Sequence, residues 1–172
     1  SKQVTVDVPA GDTVVVNEQL LVSKPILWSP DAPHVYEADV TITEGKKTLD
    51  RRRETFGLRT LSYSVSNGLL LNGQSIRLNG GCVHHDNGCL GAAAYDKAEE
   101  RKVILLKSAG FNAVRTSHNP PSEAFLDACD KHGLLVMDEA FDGWRTAKTP
   151  HDYALLFDDW AVKDVASMVL RD

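Results

Sequence analysis

The sequence predicts two parts, an antiparallel β-sandwich over residues 1–66 and an alternating α/β part over residues 67–172. The first part contains alternating and β-branched apolar runs separated by turn signals, with no helical pattern between them. In the second part strand-like and helix-like segments follow one another. Hydrophobic residues make up 42% of the chain and charged residues 25%, which is typical of a folded globular protein.

Three segments of the first part have the pattern of strands. They are VTVDV at 4–8, TVVVNEQLLV at 13–22 and VYEADVTIT at 35–43. The third segment alternates, so that Val40 and Ile42 share one face while Asp39 and Thr41 share the other. Strands at this spacing, with turns between them, favour a sandwich of immunoglobulin-like size, which could lack a strand. No residue of this part suggests chemistry.

The second part opens with a predicted hairpin. Asn72-Gly73 lies between two apolar runs, and this pair favours a type I′ turn because both residues tolerate positive φ. A helix is predicted over residues 93–110, with Asp96 and Glu99 spaced as in a capping box and Gly110 at its end.

The remaining segments continue the alternation of strand and helix. FNAVRTSH and LLVMDEA read as buried strands, each with a polar end. PPSEAFLDACDKHG and DDWAVKDVASMVLRD read as helices. Such alternation requires parallel strands joined by right-handed crossovers.

Polar side chains follow each predicted parallel strand. They are His84, His85 and Asp86 after the first, Arg115, Ser117, His118 and Asn119 at the end of the second, and Asp138, Glu139 and Asp142 after the third. Parallel strands place their carboxyl ends on one side of a sheet, and both barrel enzymes and open α/β sheets bind ligands there. We therefore expect a ligand site at this edge.

Three interpretations of the histidines stay open at this point. His84, His118 and Asp138 are metal ligands by type, although they come from separate strands without a local metal-ligand spacing. A histidine could also be buried and satisfied by the backbone. We favour the third interpretation, in which the imidazoles form hydrogen bonds to a substrate.

Other features limit the function classes. The net charge is −5, and the only basic cluster is Arg51–Arg53, which argues against nucleic acid as a partner. Cys82, Cys89 and Cys129 form no CxxC motif or disulfide framework, and we interpret them as small buried thiols. No cofactor motif is present, and we expect no cofactor.

Neither a signal peptide nor a membrane-spanning run of roughly 18 apolar residues is visible. We expect no membrane partner, and we expect that both ends were cut from a longer protein. The compartment stays unassigned between bacterial cytoplasm and periplasm.

Longer motifs resemble a known family. LLLNGQSIRLNGGCVHHDNG and FNAVRTSHNPPSEAFLDACDKHGLLVMDEAFDGW closely resemble glycoside hydrolase family 2, in particular its β-galactosidase-like branch. LWSPDAPHVYEADVTI and RRRETFGLRTL resemble the end of the immunoglobulin-like second domain of that family. The resemblance implies that residues 1–66 belong to this sandwich domain. It implies that residues 67–172 form the first three βα units of a (β/α)₈ TIM barrel.

The resemblance also implies substrate-binding residues. They are His84, Arg115, His118, Asp138, Glu139, Asp142 and Trp144. By resemblance, His84 binds sugar hydroxyls, His118 helps to stabilise the transition state, and Arg115 lies near the nucleophile. Asp138 and Glu139 match the family's acidic pair after the third strand. Trp144 either stacks on a sugar ring or packs within the protein.

The activity implied is that of a retaining exo-β-glycosidase acting on terminal β-galactosides, ahead of β-glucuronides and β-mannosides. Such enzymes use two carboxyl groups about 5–5.5 Å apart, one as nucleophile and one as acid/base. The family's catalytic glutamates are expected downstream of Asp172, and Glu139 follows the wrong strand for either role. The chain alone is therefore expected to be inactive.

Two alternative functions are also open, and the predicted fold has one physical consequence. A non-catalytic carbohydrate-binding or structural module could use the same edge without chemistry, and a protein that binds zinc or another metal is the other alternative. Three βα units leave an open parallel edge, so we expect the chain to self-associate.

Overall fold

The computed structural model describes residues 1–172 and contains eight strands and three α-helices. The strands are β1 (Val35–Glu44), β2 (Lys47–Gly57), β3 (Leu61–Ser64), β4 (Gly68–Leu71), β5 (Gln74–Ser75), β6 (Gly80–Val83), β7 (Ala113–Thr116) and β8 (Leu135–Met137). The helices are α1 (Asp96–Ser108), α2 (Glu123–His132) and α3 (Phe157–Arg171). The strands form three sheets, and no helix has the length and apolar character that crossing a membrane requires.

The first part of the chain contains one antiparallel hairpin, in which β1 pairs with β2. The strands predicted at 4–8 and 13–22 are not formed, so these two predictions are wrong. A strand needs a neighbour to satisfy its backbone hydrogen bonds, and neither segment pairs with another in the structure. Residues 1–57 therefore contribute a two-stranded sheet rather than two packed sheets.

The predicted Asn72-Gly73 hairpin is confirmed. Asn72 and Gly73 have φ values of 54° and 78° and connect β4 to β5. β3 completes this antiparallel sheet, and the Asn72 side chain ties it to its surroundings. Asn72 Oδ1 accepts a hydrogen bond from the Thr60 amide at 2.9 Å, while its Nδ2 donates to the Trp28 carbonyl at 3.0 Å.

The predicted parallel strands are also confirmed. β6, β7 and β8 pair in that order, all parallel, with Cys82 opposite Arg115 and Arg115 opposite Met137. The helices α1 and α2 alternate with these strands along the chain and pack against each other. They bury a core with the sheet that consists of Val103, Val114, Phe125, Ala128, Cys129 and Leu134.

The ends of the two packed helices differ in their capping. Ser122 caps α2 by accepting a hydrogen bond from the Phe125 amide at 3.2 Å, and Gly133 ends the helix with φ of 83°. The capping box predicted for α1 is wrong, because the N-cap residue is Tyr95 and it forms no side-chain cap. Glu99 turns into the protein instead and accepts a hydrogen bond from Asn87.

Trp28 closes the amino end of the parallel sheet. Its ring is 1% exposed and packs against Ala113 and Leu135, the first residues of β7 and β8. The indole nitrogen donates to the Asp130 carbonyl at 2.7 Å, and the Arg59 guanidinium lies 5.1 Å from the ring centroid. The segment before β1 is therefore fastened to the end of the sheet opposite to the predicted site.

We expect Trp28→Ala to lower the free energy of unfolding by about 3–5 kcal/mol, because it empties a fully enclosed volume. Urea unfolding followed by circular dichroism measures this change. Val162→Ala is the surface control, since Val162 is 84% exposed and its loss should change stability by no more than about 0.5 kcal/mol. Equal effects of the two substitutions would contradict the role given to Trp28.

Candidate functional site

Polar side chains meet at the carboxyl edge of the parallel sheet, as predicted. Arg115 comes from β7, and His118 follows this strand. His84 directly follows β6, while Glu139 comes two residues after β8. Because the three strands run side by side in the same direction, residues far apart in the chain gather at one edge.

A carboxylate lies at the centre of this group. One Glu139 oxygen accepts a hydrogen bond from Arg115 Nε, and the other lies 2.8 Å from His118 Nδ1. Arg115 and His118 are also close to each other, with 3.3 Å between a guanidinium nitrogen and His118 Nδ1. The hydrogen bond from Arg115 is the main cause that lowers the pKa of Glu139, and the bond from His118 adds to it. Glu139 is therefore a carboxylate at neutral pH.

Two further residues complete what we call the rim cluster, defined as His84, Arg115, His118, Glu139 and Asp142. The His84 ring meets the His118 ring edge to face, with 5.9 Å between centroids. Asp142 Oδ1 lies 3.8 Å from His118 Nε2 and accepts a hydrogen bond from Lys148 Nζ at 2.6 Å. This bond from Lys148 lowers the pKa of Asp142. Two open clefts, of about 550 and 670 Å³, meet at His118 and Asp142.

Asp138 lies outside the rim cluster, although it precedes Glu139 in the chain. Its Oδ1 accepts a hydrogen bond from the Thr116 hydroxyl at 3.0 Å, and burial raises its pKa. The same Thr116 oxygen accepts a hydrogen bond from the Glu139 amide at 3.2 Å. Thr116 thus contacts Asp138 through the carboxylate of that residue and Glu139 through its backbone amide. Asp138 lines the larger cleft.

The three residues considered as metal ligands, His84, His118 and Asp138, do not come together in the structure. His84 and His118 are neighbours, but the hydrogen-bond partner of Asp138 is Thr116. No group of three or more His, Cys, Asp or Glu side chains is arranged to hold an ion.

Trp144 lies at the border of the larger cleft and is 65% exposed. Its ring stacks on Phe157 with 5.8 Å between centroids and meets Phe141 edge to face at 6.3 Å. The position combines packing with an accessible indole surface beside Glu139 and Asp142.

Sequence reasoning missed two residues near the rim cluster. The thiol of Cys82 lies 3.4 Å from a guanidinium nitrogen of Arg115. Cys82 and Cys89 are exposed, so interpreting them as buried thiols was wrong, whereas Cys129 is buried. Glu99 is the second missed residue, since its position in the sequence suggested a cap. The parallel register places Cys82 opposite Arg115, and this pairing was the signal that could have identified the thiol as a neighbour of the rim cluster.

Comparison with known families decides the assignment. Residues 1–59 match the sequence model described as "Glycosyl hydrolases family 2", and residues 64–154 match "Glycosyl hydrolases family 2, TIM barrel domain". The chain belongs to glycosyl hydrolase family 2. The resemblance stated from the sequence motifs is therefore confirmed.

Individual glycosidases are similar to most of this chain. The β-galactosidase BoGH2A of Bacteroides ovatus is 45% identical over 163 residues, which cover 95% of this chain and 19% of that protein. A β-glucuronidase of Bacteroides fragilis is 30% identical over 135 residues, covering 78% of this chain and 19% of that protein.

A solved structure supports the fold. The crystal structure of a family 2 member from Bacteroides cellulosilyticus aligns with a TM-score of 0.81 and 53% identity, covering 86% of this chain and 19% of that one. The chain thus spans about a fifth of the length of the relatives that it matches.

We expect Arg115→Gln to raise the pKa of Glu139 towards its ordinary value of 4.5, because the guanidinium is the main cause of the lowered value. A carbon-13 NMR titration of the Glu139 carboxyl measures this pKa. In the native chain the lowered pKa means that Glu139 stabilises the fold above pH 4.5, and this contribution is lost as the pH falls through the lowered value.

Asp152 provides the internal control for this titration. Its pKa is lowered by backbone amides, first that of Thr149, so Arg115→Gln should leave it unchanged. A Glu139 pKa that does not move in the variant would refute the assigned pairing.

Proposed function

We propose that this chain carries part of the sugar-binding site of a retaining, exo-acting β-glycosidase that hydrolyses terminal β-galactosides. The observation that carries this proposal is the rim cluster at the carboxyl edge of three parallel strands. The names of the relatives, a β-galactosidase and a β-glucuronidase, support a β-glycosidase. In this proposal residues 1–66 belong to an immunoglobulin-like domain, and residues 67–172 form the first three βα units of an eight-stranded barrel.

The chemistry of the rim cluster suits a sugar ring. Each sugar hydroxyl can donate one hydrogen bond and accept others. Glu139 and Asp142 supply acceptors and Arg115 supplies donors, while His84 and His118 can serve in either role. In the proposed site His84 binds a hydroxyl, His118 helps to stabilise the transition state, and Arg115 donates hydrogen bonds beside the nucleophile. The accessible indole of Trp144 offers a surface on which a pyranose can stack.

The pairing of charges favours a neutral sugar over a glucuronide. A glucuronide carries a carboxylate, which requires a free cationic partner for tight binding. Arg115 is paired with Glu139, and Lys148 is paired with Asp142. The third cation at the larger cleft, Arg145, is paired with Asp158, and Asp138 adds a further carboxyl nearby.

The carboxyl groups of this chain do not supply the two catalytic roles. The acid/base of a retaining glycosidase must carry a proton near neutral pH. Glu139 and Asp142 both have lowered pKa values. Asp138 has a raised pKa and its Oδ1 accepts a hydrogen bond from Thr116. Asp138, Glu139 and Asp142 all follow the third parallel strand, whereas the resemblance places both catalytic glutamates of the family on later strands. Binding without turnover, which is the behaviour of a carbohydrate-binding module, is therefore proposed for the chain alone.

We expect the chain to bind methyl β-galactoside more tightly than methyl β-glucuronide in isothermal titration calorimetry. Replacing His118 by Ala should weaken galactoside binding about 2- to 10-fold, the effect of losing one hydrogen bond. Lys163→Ala is a surface control on α3 and should leave the affinity unchanged. Preference for the glucuronide, or an unchanged affinity in His118→Ala, would contradict the proposed site.

A chromogenic assay tests the absence of turnover separately. Incubation of the chain with 4-nitrophenyl β-galactoside should release nitrophenol no faster than buffer does. Hydrolysis that disappears in the His118→Ala variant would show that the chain holds a complete catalytic apparatus and would refute this part of the proposal.

We also propose that the chain self-associates. The sheet face opposite the helices is lined by apolar side chains that include Leu61, Leu78 and Met137, each between 45% and 59% exposed. β6 and β8 have free edges as well. Sedimentation velocity should give a mass above 18.9 kDa that increases with concentration, and Met137→Lys should reduce it. A monomer at every concentration would contradict the proposal.

A further inference from the structure

Glu99 is a buried carboxylate outside the rim cluster. It lies on α1 and is 2% exposed, which makes it the most buried charged residue of the chain. An ionised carboxylate is retained inside a protein only when hydrogen bonds and opposite charge compensate for its lost hydration. The groups that compensate Glu99 are therefore informative about its role.

Both partners of Glu99 connect to the segment that carries His84. Asn87 Nδ2 donates to Glu99 Oε1 at 2.7 Å, and Lys102 Nζ lies 3.4 Å from both carboxylate oxygens. The same Lys102 ammonium lies 3.5 Å from the His84 carbonyl oxygen and 5.6 Å from the centroid of the Phe125 ring. Lys102 thus contacts the beginning of the segment 84–87, where the His84 carbonyl also accepts a hydrogen bond from the Asp86 amide at 2.8 Å, and Asn87 is its end.

The side chain of His84 has few other constraints. β6 ends at Val83, whose carbonyl accepts a hydrogen bond from the Ser117 amide, and the parallel ladder goes no further. The His84 imidazole forms no hydrogen bond within the protein, and its one aromatic neighbour is His118. The orientation of this ring therefore depends on how the backbone of segment 84–87 is held.

We propose that Glu99 is a positioning residue that fixes His84 at the rim cluster through Lys102 and Asn87. The significance of this role for sugar binding rests on the proposed function, whereas the structural coupling does not. Glu99 does not touch the substrate in this proposal. It acts by anchoring segment 84–87 to the rigid, packed helix α1.

The coupling can be measured without any sugar. Nuclear Overhauser effects between the ring protons of His84 and His118 report the contact between the two imidazoles. The Met137→Lys background is used to limit self-association. In this background we expect Asn87→Ala and Glu99→Ala each to reduce these signals more than twofold. Glu99→Gln should retain more of them, because its amide oxygen still accepts from Asn87.

Glu100→Ala is the matched control. Glu100 is the next residue of α1, and it pairs with Lys97 and Lys131 rather than with segment 84–87. Its loss should leave the His84–His118 signals unchanged. Asn87 lies in a loop, so Asn87→Ala decides the question even where Glu99→Ala fails to fold. Full-strength signals in a folded Asn87→Ala variant would overturn the proposal.

A second arm separates this inference from the proposed function. The affinity of the same variants for methyl β-galactoside is measured by calorimetry. Reduced ring contacts together with reduced affinity support both proposals. Reduced ring contacts with unchanged affinity support the role of Glu99 and refute the role of His84 in sugar binding.

Discussion

The structure depends on the parallel alignment of β6, β7 and β8. Hydrogen bonding fixes their register, with Cys82, Arg115 and Met137 side by side. This register brings the residues that follow β6 and β7 to the same edge, where the His84 and His118 rings meet although they lie 34 positions apart in the chain. Backbone pairing thus places the rim cluster, and side-chain interactions then orient its members.

Side-chain interactions then make the two ends of the sheet different. At the amino end, Trp28 is enclosed by apolar neighbours and fastened by a single indole hydrogen bond. At the carboxyl end, Glu139 has one oxygen on Arg115 and the other on His118. The amino end stabilises the fold through burial of apolar surface. The carboxyl end orients polar groups that stay accessible to a ligand. This division between stability and function matches that of other parallel α/β proteins.

The electrostatic arrangement underlies the proposal that the rim cluster binds a sugar without supplying a proton donor. Glu139 and Asp142 are held as anions by Arg115 and Lys148, respectively. An anion with committed partners is a good acceptor for hydroxyl groups but a poor proton donor. In the proposal of a positioning role, Glu99 lies behind the rim cluster, and its hydrogen bond from Asn87 holds the loop that presents His84.

Local signals were sufficient for much of the fold. Asn72-Gly73 specifies its turn through its own φ preferences, and the alternation of apolar strands with helices specifies parallel pairing. The segment at 13–22 has an equally good strand pattern, but pairing is a non-local property that a pattern does not encode.

The sequence predicted which edge of the sheet carries the candidate site, but not which side chains contact one another there. Strand ends located the rim cluster, yet the sequence does not encode that the Asp138 carboxylate pairs with Thr116 while the Glu139 carboxylate pairs with Arg115 and His118. The role of Glu99 was hidden because its spacing from Asp96 also fits a capping box, and only packing of α1 shows that its carboxylate turns inward. The burial of Trp28 was likewise not predictable, because nothing in its own segment distinguishes it from other apolar residues.

Mapping where a sugar binds is the most direct test of the central claim. Amide and side-chain NMR shifts of the chain are followed during titration with methyl β-galactoside. Shifts concentrated at His84, Arg115, His118 and Glu139, with none at Trp28 or Asn72, are the predicted result. Shifts at the Trp28 end of the sheet, or none at the rim cluster at saturating sugar, would contradict the account.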